Sequence, residues 1–320
     1  MSENKGRDAD SIAQIPLSGW WSIAKRTYAN LNTHNLQLVS AGVAFYFLLA
    51  VFPLLAAVIS LYGLLVSFDD LQNHMAYLIN VVPADSRYIL EEQLEGLISK
   101  SDKTLGWGFA LSVLITLWSS SKGANALITA CNITYHESTK RRFMFAIMAR
   151  MMLTVAIIGM VILALLIITV MPQLLNYVLG EGLGKLAIGG VTWLVLIVLF
   201  NLGLSSLYRY GPHRARAKWR WVTPGAFFAT ILWVAFSYGF SYYLQSFATY
   251  NKTYGSVGGI IILLIWFYTS AFIILLGAEL NSSMELQTEK DSTRGQDKPL
   301  GERGAFVADH TPENRPPYTR

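Results

Sequence analysis

Residues 256–283 read SVGGIIILLIWFYTSAFIILLGAELNSS, an apolar run that meets no charged side chain until Glu279. A helix needs about 20 predominantly apolar residues to cross a bilayer, so this stretch reads as a membrane span. Glu279 falls at its end, either as a working group inside the membrane or as the mark of where the membrane stops. The rest of the chain has the same character. Of 320 residues, 53% are hydrophobic and 14% charged, with a mean hydropathy of +0.40, whereas soluble domains carry about 25% charged residues. Similar runs near 37–66, 105–130, 143–171, 186–208 and 222–247, the second despite Lys122, predict six spans in all.

The first ten residues, MSENKGRDAD, lack the basic-then-apolar layout of a cleavable signal peptide, so the first span is expected to be retained. Cytoplasmic loops of membrane proteins are enriched in Lys and Arg. With six spans, eighteen basic residues fall on one side and five on the other, leaving Lys122 and Arg150 inside spans. This predicts a multi-pass protein with both termini cytoplasmic. The basic pI of about 9.2 then reflects topology and attraction to anionic membrane lipids rather than to nucleic acid.

Three regions are predicted: a cytoplasmic arm over 1–35, a six-span domain over 36–283 and a disordered cytoplasmic tail over 284–320. In the arm, PLSGWWSIAKRTYANLNT (16–33) places Trp20, Ala24, Thr27, Tyr28 and Leu31 on one helical face and Lys25 and Arg26 on another, as in a helix lying on the membrane surface. Pro53 removes a backbone donor within the first span and predicts a kink or break there. The segment 67–104, which contains Glu91, Glu92 and Glu95, reads as a short helical external cap, the acids being a solvated face rather than a metal site. From Met284 onward the composition is polar and without apolar periodicity, the basis for expecting disorder.

Ionisable side chains within spans are functional candidates because a charge there costs several kcal/mol unless it is paired or wetted. These are Lys122, Arg150 and Glu279. A rise of about 1.5 Å per residue puts all three toward the cytoplasmic end of the bundle. One reading is a polar vestibule lined by Lys122, Arg150 and Glu279 with Asn125, Asn132 and Asn281, suited to an anionic guest such as a phosphate-bearing lipid head group. The other is an ion pair between Glu279 and Lys122 or Arg150 that locks the bundle. No cofactor is expected, since no phosphate-binding loop ending in lysine occurs, and the single cysteine, Cys131, has no partner for a disulfide or paired zinc site.

Four stretches carry a resemblance: AGVAFYFLLAVFPLL (41–55), WSSSKGANALITACNITYHE (118–137), LYRYGPHRARAKWRWVTPGAFFATILW (207–233) and YNKTYGSVGGIIILLIWFYTSAFIILLGAELN (250–281). Together they resemble the YihY/BrkB family of bacterial inner-membrane proteins. The resemblance implies a six-helix inner-membrane protein with both termini inside, and carries an older label, ribonuclease BN, regarded within the family as a misassignment. The residues themselves give little support to a tRNA-processing nuclease. His34, His74, His136, His213 and His310 lie in different segments, and the predicted cytoplasmic turns hold one acid, Glu137. That falls short of a visible metal or acid–base centre. A carrier or flippase for an anionic or amphipathic substrate is the expected function, with a non-enzymatic envelope scaffold as the alternative.

Overall fold

The computed structural model describes residues 5–65, 107–138, 141–179, 185–247 and 251–314, so the expected external cap lies outside the described residues. After a short 3-10 turn at Ile12–Gln14, the helices are α1 (Leu17–Thr33), α2 (Leu36–Leu65), α3 (Trp107–Thr134), α4 (Phe143–Leu179), α5 (Lys185–Tyr210), α6 (Trp219–Phe247), α7 (Asn251–Glu285) and the single turn α8 (Phe306–Asp309). The protein is all-α. Among the described residues, five helices are long and apolar enough to cross a membrane, within α2, α4, α5, α6 and α7. The sixth expected span, α3, is one continuous helix of 28 residues whose apolar sequence is broken by the small and polar stretch SSSKGAN at 119–125.

The packing follows chain order. Each of α2 to α7 lies against the next, and α7 returns to α2, closing a ring. Its buried core gathers at one end, from Leu36 and Val43 of α2, Leu127 and Cys131 of α3, Leu204 and Tyr208 of α5, Val222 and Ala226 of α6, and Leu275 and Ala278 of α7. That end also carries α1 and the C-terminal segment. Elsewhere the outer faces stay apolar and uncovered, with Met152, Val155, Leu163, Trp193 and Val198 exposed. Such a surface is costly in water and suited to lipid.

Close contact at the core end depends on small residues. A Cβ on Gly277 would meet the Gly225 carbonyl oxygen at 2.6 Å and Ala229 Cβ at 2.8 Å, so α6 and α7 approach backbone to backbone there. Asn281 fastens the same crossing: its Oδ1 accepts from the Gly225 amide at 2.8 Å and its Nδ2 donates to the Val222 carbonyl at 2.8 Å. These bonds flank Pro224, whose missing N–H disturbs the first turns of α6. Of the kink or break expected at Pro53, a break is absent, since α2 runs as one helix through it.

Two expectations about the ends are corrected. The face of α1 that enters the protein holds Gly19, Ile23, Arg26, Thr27 and Asn30, while Trp21 and Tyr28 are exposed. Arg26 is buried because α7 and its extension offer acceptors: it donates to the Ser283 carbonyl at 3.0 Å and to Gln287 Oε1 at 2.6 Å. Residues 286–314 of the expected disordered tail are also folded. They pair with the α5–α6 turn through Lys218 N–H to Ser292 O and Arg294 N–H to Arg216 O, both 2.8 Å. Arg303 donates to the carbonyls of Glu289 and Ala308, each at 2.7 Å. Gly301 and Gly304, with φ of 93° and 70°, turn their amides onto the Asp309 carboxylate. Order here comes from polar bonds and glycine turns, which leave no apolar periodicity to read.

Candidate functional site

The fold distributes the residues predicted to line one vestibule. Glu279 is fully buried and accepts from Asn30 Nδ2 at 2.6 Å, with His34 Nδ1 2.8 Å from its other oxygen. Lys122 and Asn125 sit on an exposed face of α3. Arg150 lies 4.3 Å over the Trp118 ring, joining α4 to α3 by a cation–π contact. Asn132 Oδ1 accepts from the His213 amide at 2.7 Å, organising the turn after α5, and Asn281 braces α6. The ring that meets the Glu279 carboxylate is that of His34, not a Lys122 or Arg150 side chain.

A different feature has the dimensions of a binding site. Between α4 and α5 runs a groove of about 1100 Å³. Its walls are apolar, from Met148, Met152, Ile157 and Met160 on α4 and Leu199 and Leu202 on α5. Its mouth, at the core end, holds Arg141, Arg142, Arg209, Arg214 and Arg216, and among the described residues none of those lining it is acidic. Since Phe145, Met148, Met152 and Leu202 are exposed, the groove opens onto the outer, apolar surface of the bundle.

The arginines are not equivalent. Arg214 forms a two-pronged pair with Glu285, both contacts 2.8 Å, with both side chains fully buried. Burial alone would lower the Arg214 pKa, but the Glu285 carboxylate outweighs it and holds the guanidinium above its ordinary range. Arg141 donates to three carbonyls of the turn, those of Tyr210, Gly211 and Pro212, and burial lowers its pKa. Arg209 is held between aromatic rings, 4.5 Å from the Trp219 centroid and 5.3 Å from that of Tyr210. It is 4% exposed, and among the described residues no acceptor reaches its Nε or Nη1. A buried guanidinium with unsatisfied donors on a groove wall has the chemistry to receive an anionic oxygen.

The sequence reading missed this groove for a definite reason. Arg209, Arg214 and Arg216 appear there as part of a basic turn that sets orientation, and the apolar faces of α4 and α5 appear as ordinary span surface. Their combination needs α4 and α5 to be neighbours, which composition does not encode. A second grouping was equally hidden. His34 at the end of α1 and His136 just beyond α3 meet beside Glu279, with their ring centroids 4.4 Å apart. Next to them, burial pushes the Glu137 carboxyl up to about 7, against the lowering effect of the Phe306 amide that it accepts and of Arg214.

Comparison with known proteins agrees with this architecture. The family model described as virulence factor BrkB matches residues 27–301. A protein of Bacillus subtilis named putative ribonuclease-like protein YfkH is 33% identical over 279 residues, covering 82% of this chain and 94% of its own. A UPF0761 membrane protein of Tolumonas auensis is 26% identical over 255 residues, 78% of this chain and 81% of its own. Another, PSHAa0171 of Pseudoalteromonas translucida, is 25% identical over 299 residues, covering 91% and 94%. No solved structure matches. An all-α bundle with several membrane-spanning helices and a family match over most of its length places the chain in the BrkB family of membrane proteins.

Proposed function

We propose that this protein binds an anionic, amphipathic membrane lipid in the α4–α5 groove and carries it between leaflets, without catalysing a chemical reaction. The observation that carries the reading is Arg209, buried at the mouth with an Nε and Nη1 that no acceptor among the described residues reaches. A phosphate-bearing head group would satisfy those donors, while its chains would lie along Met148, Met152 and Leu202. Basic pockets between spans on the cytoplasmic side suit anionic head groups. The charge asymmetry supports an inner-membrane protein of six spans, α3 included, with both termini inside. The rigid arginine fork matches phosphate oxygens better than a lysine would.

The test is reconstitution of the full chain in vesicles of phosphatidylcholine and phosphatidylglycerol carrying a fluorescent phosphatidylglycerol. Wild type should speed exchange of the label between leaflets, and Arg209→Gln should slow it by about tenfold or more, the loss of a charge-assisted bond of roughly 1.5–3 kcal/mol. Native mass spectrometry of the same proteins should show phosphatidylglycerol retained by wild type and lost from the variant. Exchange equal to protein-free vesicles would overturn the carrier reading. The envelope-scaffold alternative is favoured by the folding of 286–314 against the α5–α6 turn, and predicts no exchange with a protein partner lost on removal of 286–314.

A further inference from the structure

We propose that His34, His136 and Glu279 form a site for a divalent transition-metal ion, zinc being the first candidate. One ligand atom from each residue, two imidazole nitrogens and a carboxylate oxygen, lie within 4.8 Å of one another. Ligand atoms around a tetrahedral zinc stand about 3.3 Å apart, so small side-chain rotations close the set. Two imidazoles and one carboxylate, with a fourth position left for water or another oxygen, is a donor set that borderline-soft divalent ions favour.

Three separate elements converge to make the cluster. His34 caps the end of α1, His136 follows the last turn of α3, and Glu279 projects from α7. His136 has a φ of 57°, a left-handed backbone that L-residues other than asparagine, aspartate and histidine rarely adopt, and Asn35, directly after His34, has a φ of 48°. Both chain reversals aim a histidine ring at the same point. The surroundings hold the rings in place: Asn30 donates to one Glu279 oxygen, His34 Nδ1 meets the other, and Phe306 of the C-terminal segment stacks on His136 with an interplanar angle of 20°.

Charge points the same way. Glu279 is fully buried, and a carboxylate there needs a positive partner. A proton shared with His34 would supply one using a single imidazole. A metal ion would use both histidines, which already pack edge to face at 4.4 Å. The site is separate from the α4–α5 groove, whose lining includes none of the three residues.

The test uses tag-free, full-length protein in detergent, stripped with a chelator, incubated with zinc chloride and desalted. Elemental analysis should then give close to one zinc per chain, and His136→Gln should bind it about a hundredfold more weakly, as expected when one of three ligands is lost. Zinc should also raise the melting temperature of wild type and leave that of His136→Gln unchanged. Loading the stripped wild type with cobalt(II) keeps the proposal falsifiable should the variant fail to fold: intense visible absorption of a four-coordinate ion is the expected result. Wild type that takes up neither zinc nor cobalt stoichiometrically, or a folded His136→Gln that binds zinc like wild type, would overturn it and leave a His34–Glu279 ion pair.

Discussion

At the scale of single residues, this protein places its polar groups where helices must be fastened. Gly277 and Asn281 are one turn apart on α7, and both act on the first turns of α6. A methyl group at Gly277 would stand 2.6 Å from the Gly225 carbonyl oxygen and 2.7 Å from the Tyr208 hydroxyl, which itself donates to the Ile274 carbonyl at 2.7 Å. Backbone cannot yield as a flexible side-chain tip can. Gly277→Ala should therefore destabilise the bundle by about 1–3 kcal/mol, the usual cost of overpacking. A thermal-unfolding comparison in detergent checks it, and a melting temperature equal to wild type would show that α6 and α7 part more easily than their contact implies. Glu279 was legible in the sequence as an unusual carboxylate at the end of a span. Its partners were not, because Asn30 and His34 lie some 245 residues away and look like ordinary polar positions on a surface helix.

At the scale of elements, sequence patterns located the long helices well, since a run of apolar residues is both the cause and the signature of a membrane helix. They failed where order has another origin. The C-terminal segment reads as a solvated tail, yet Asp291 organises its first loop: its carboxylate accepts from the Thr293 hydroxyl at 2.7 Å and from the amides of Thr293 and Lys298 at 2.8 and 2.9 Å. Burial alone would push this carboxyl up, but those bonds, with the nearby Arg303 charge, outweigh it and hold the pKa below its ordinary value. A depressed folded pKa contributes stability that is fully present above the unfolded value and is lost as pH falls through the folded one. The segment should thus stay docked from pH 8 down to about 5 and loosen below about 4, the unfolded carboxyl range. Hydrogen exchange of the 291–298 amides, corrected for intrinsic rates, would show protection falling between about pH 5 and about pH 2 in wild type. Asp291→Asn should show weak protection at both values, and wild-type protection that does not change with pH would count against Asp291 as the organiser.

At the scale of the whole molecule, the closed ring of α2 to α7 creates an asymmetry between its two ends. Buried core, ion pairs and the folded C-terminal segment gather at the end where α1 lies, and the arginine mouth of the groove opens there too. The eighteen-to-five split of basic residues argues that this end is cytoplasmic. The direction matters for function, because an anionic lipid would then load from the inner leaflet, where the mouth is. Single cysteines probe it cleanly, since Cys131 is fully buried and should stay silent. In intact cells, a membrane-impermeant maleimide should label Ser101→Cys, in the segment read as external, and should label Leu300→Cys, an exposed position of the C-terminal segment, only after the membrane is opened. The reverse pattern would put the arginine mouth outside. The groove would keep its chemistry in that case, but the lipid it loads would have to come from the outer leaflet, and the exchange assay would have to be run with the label starting on that side.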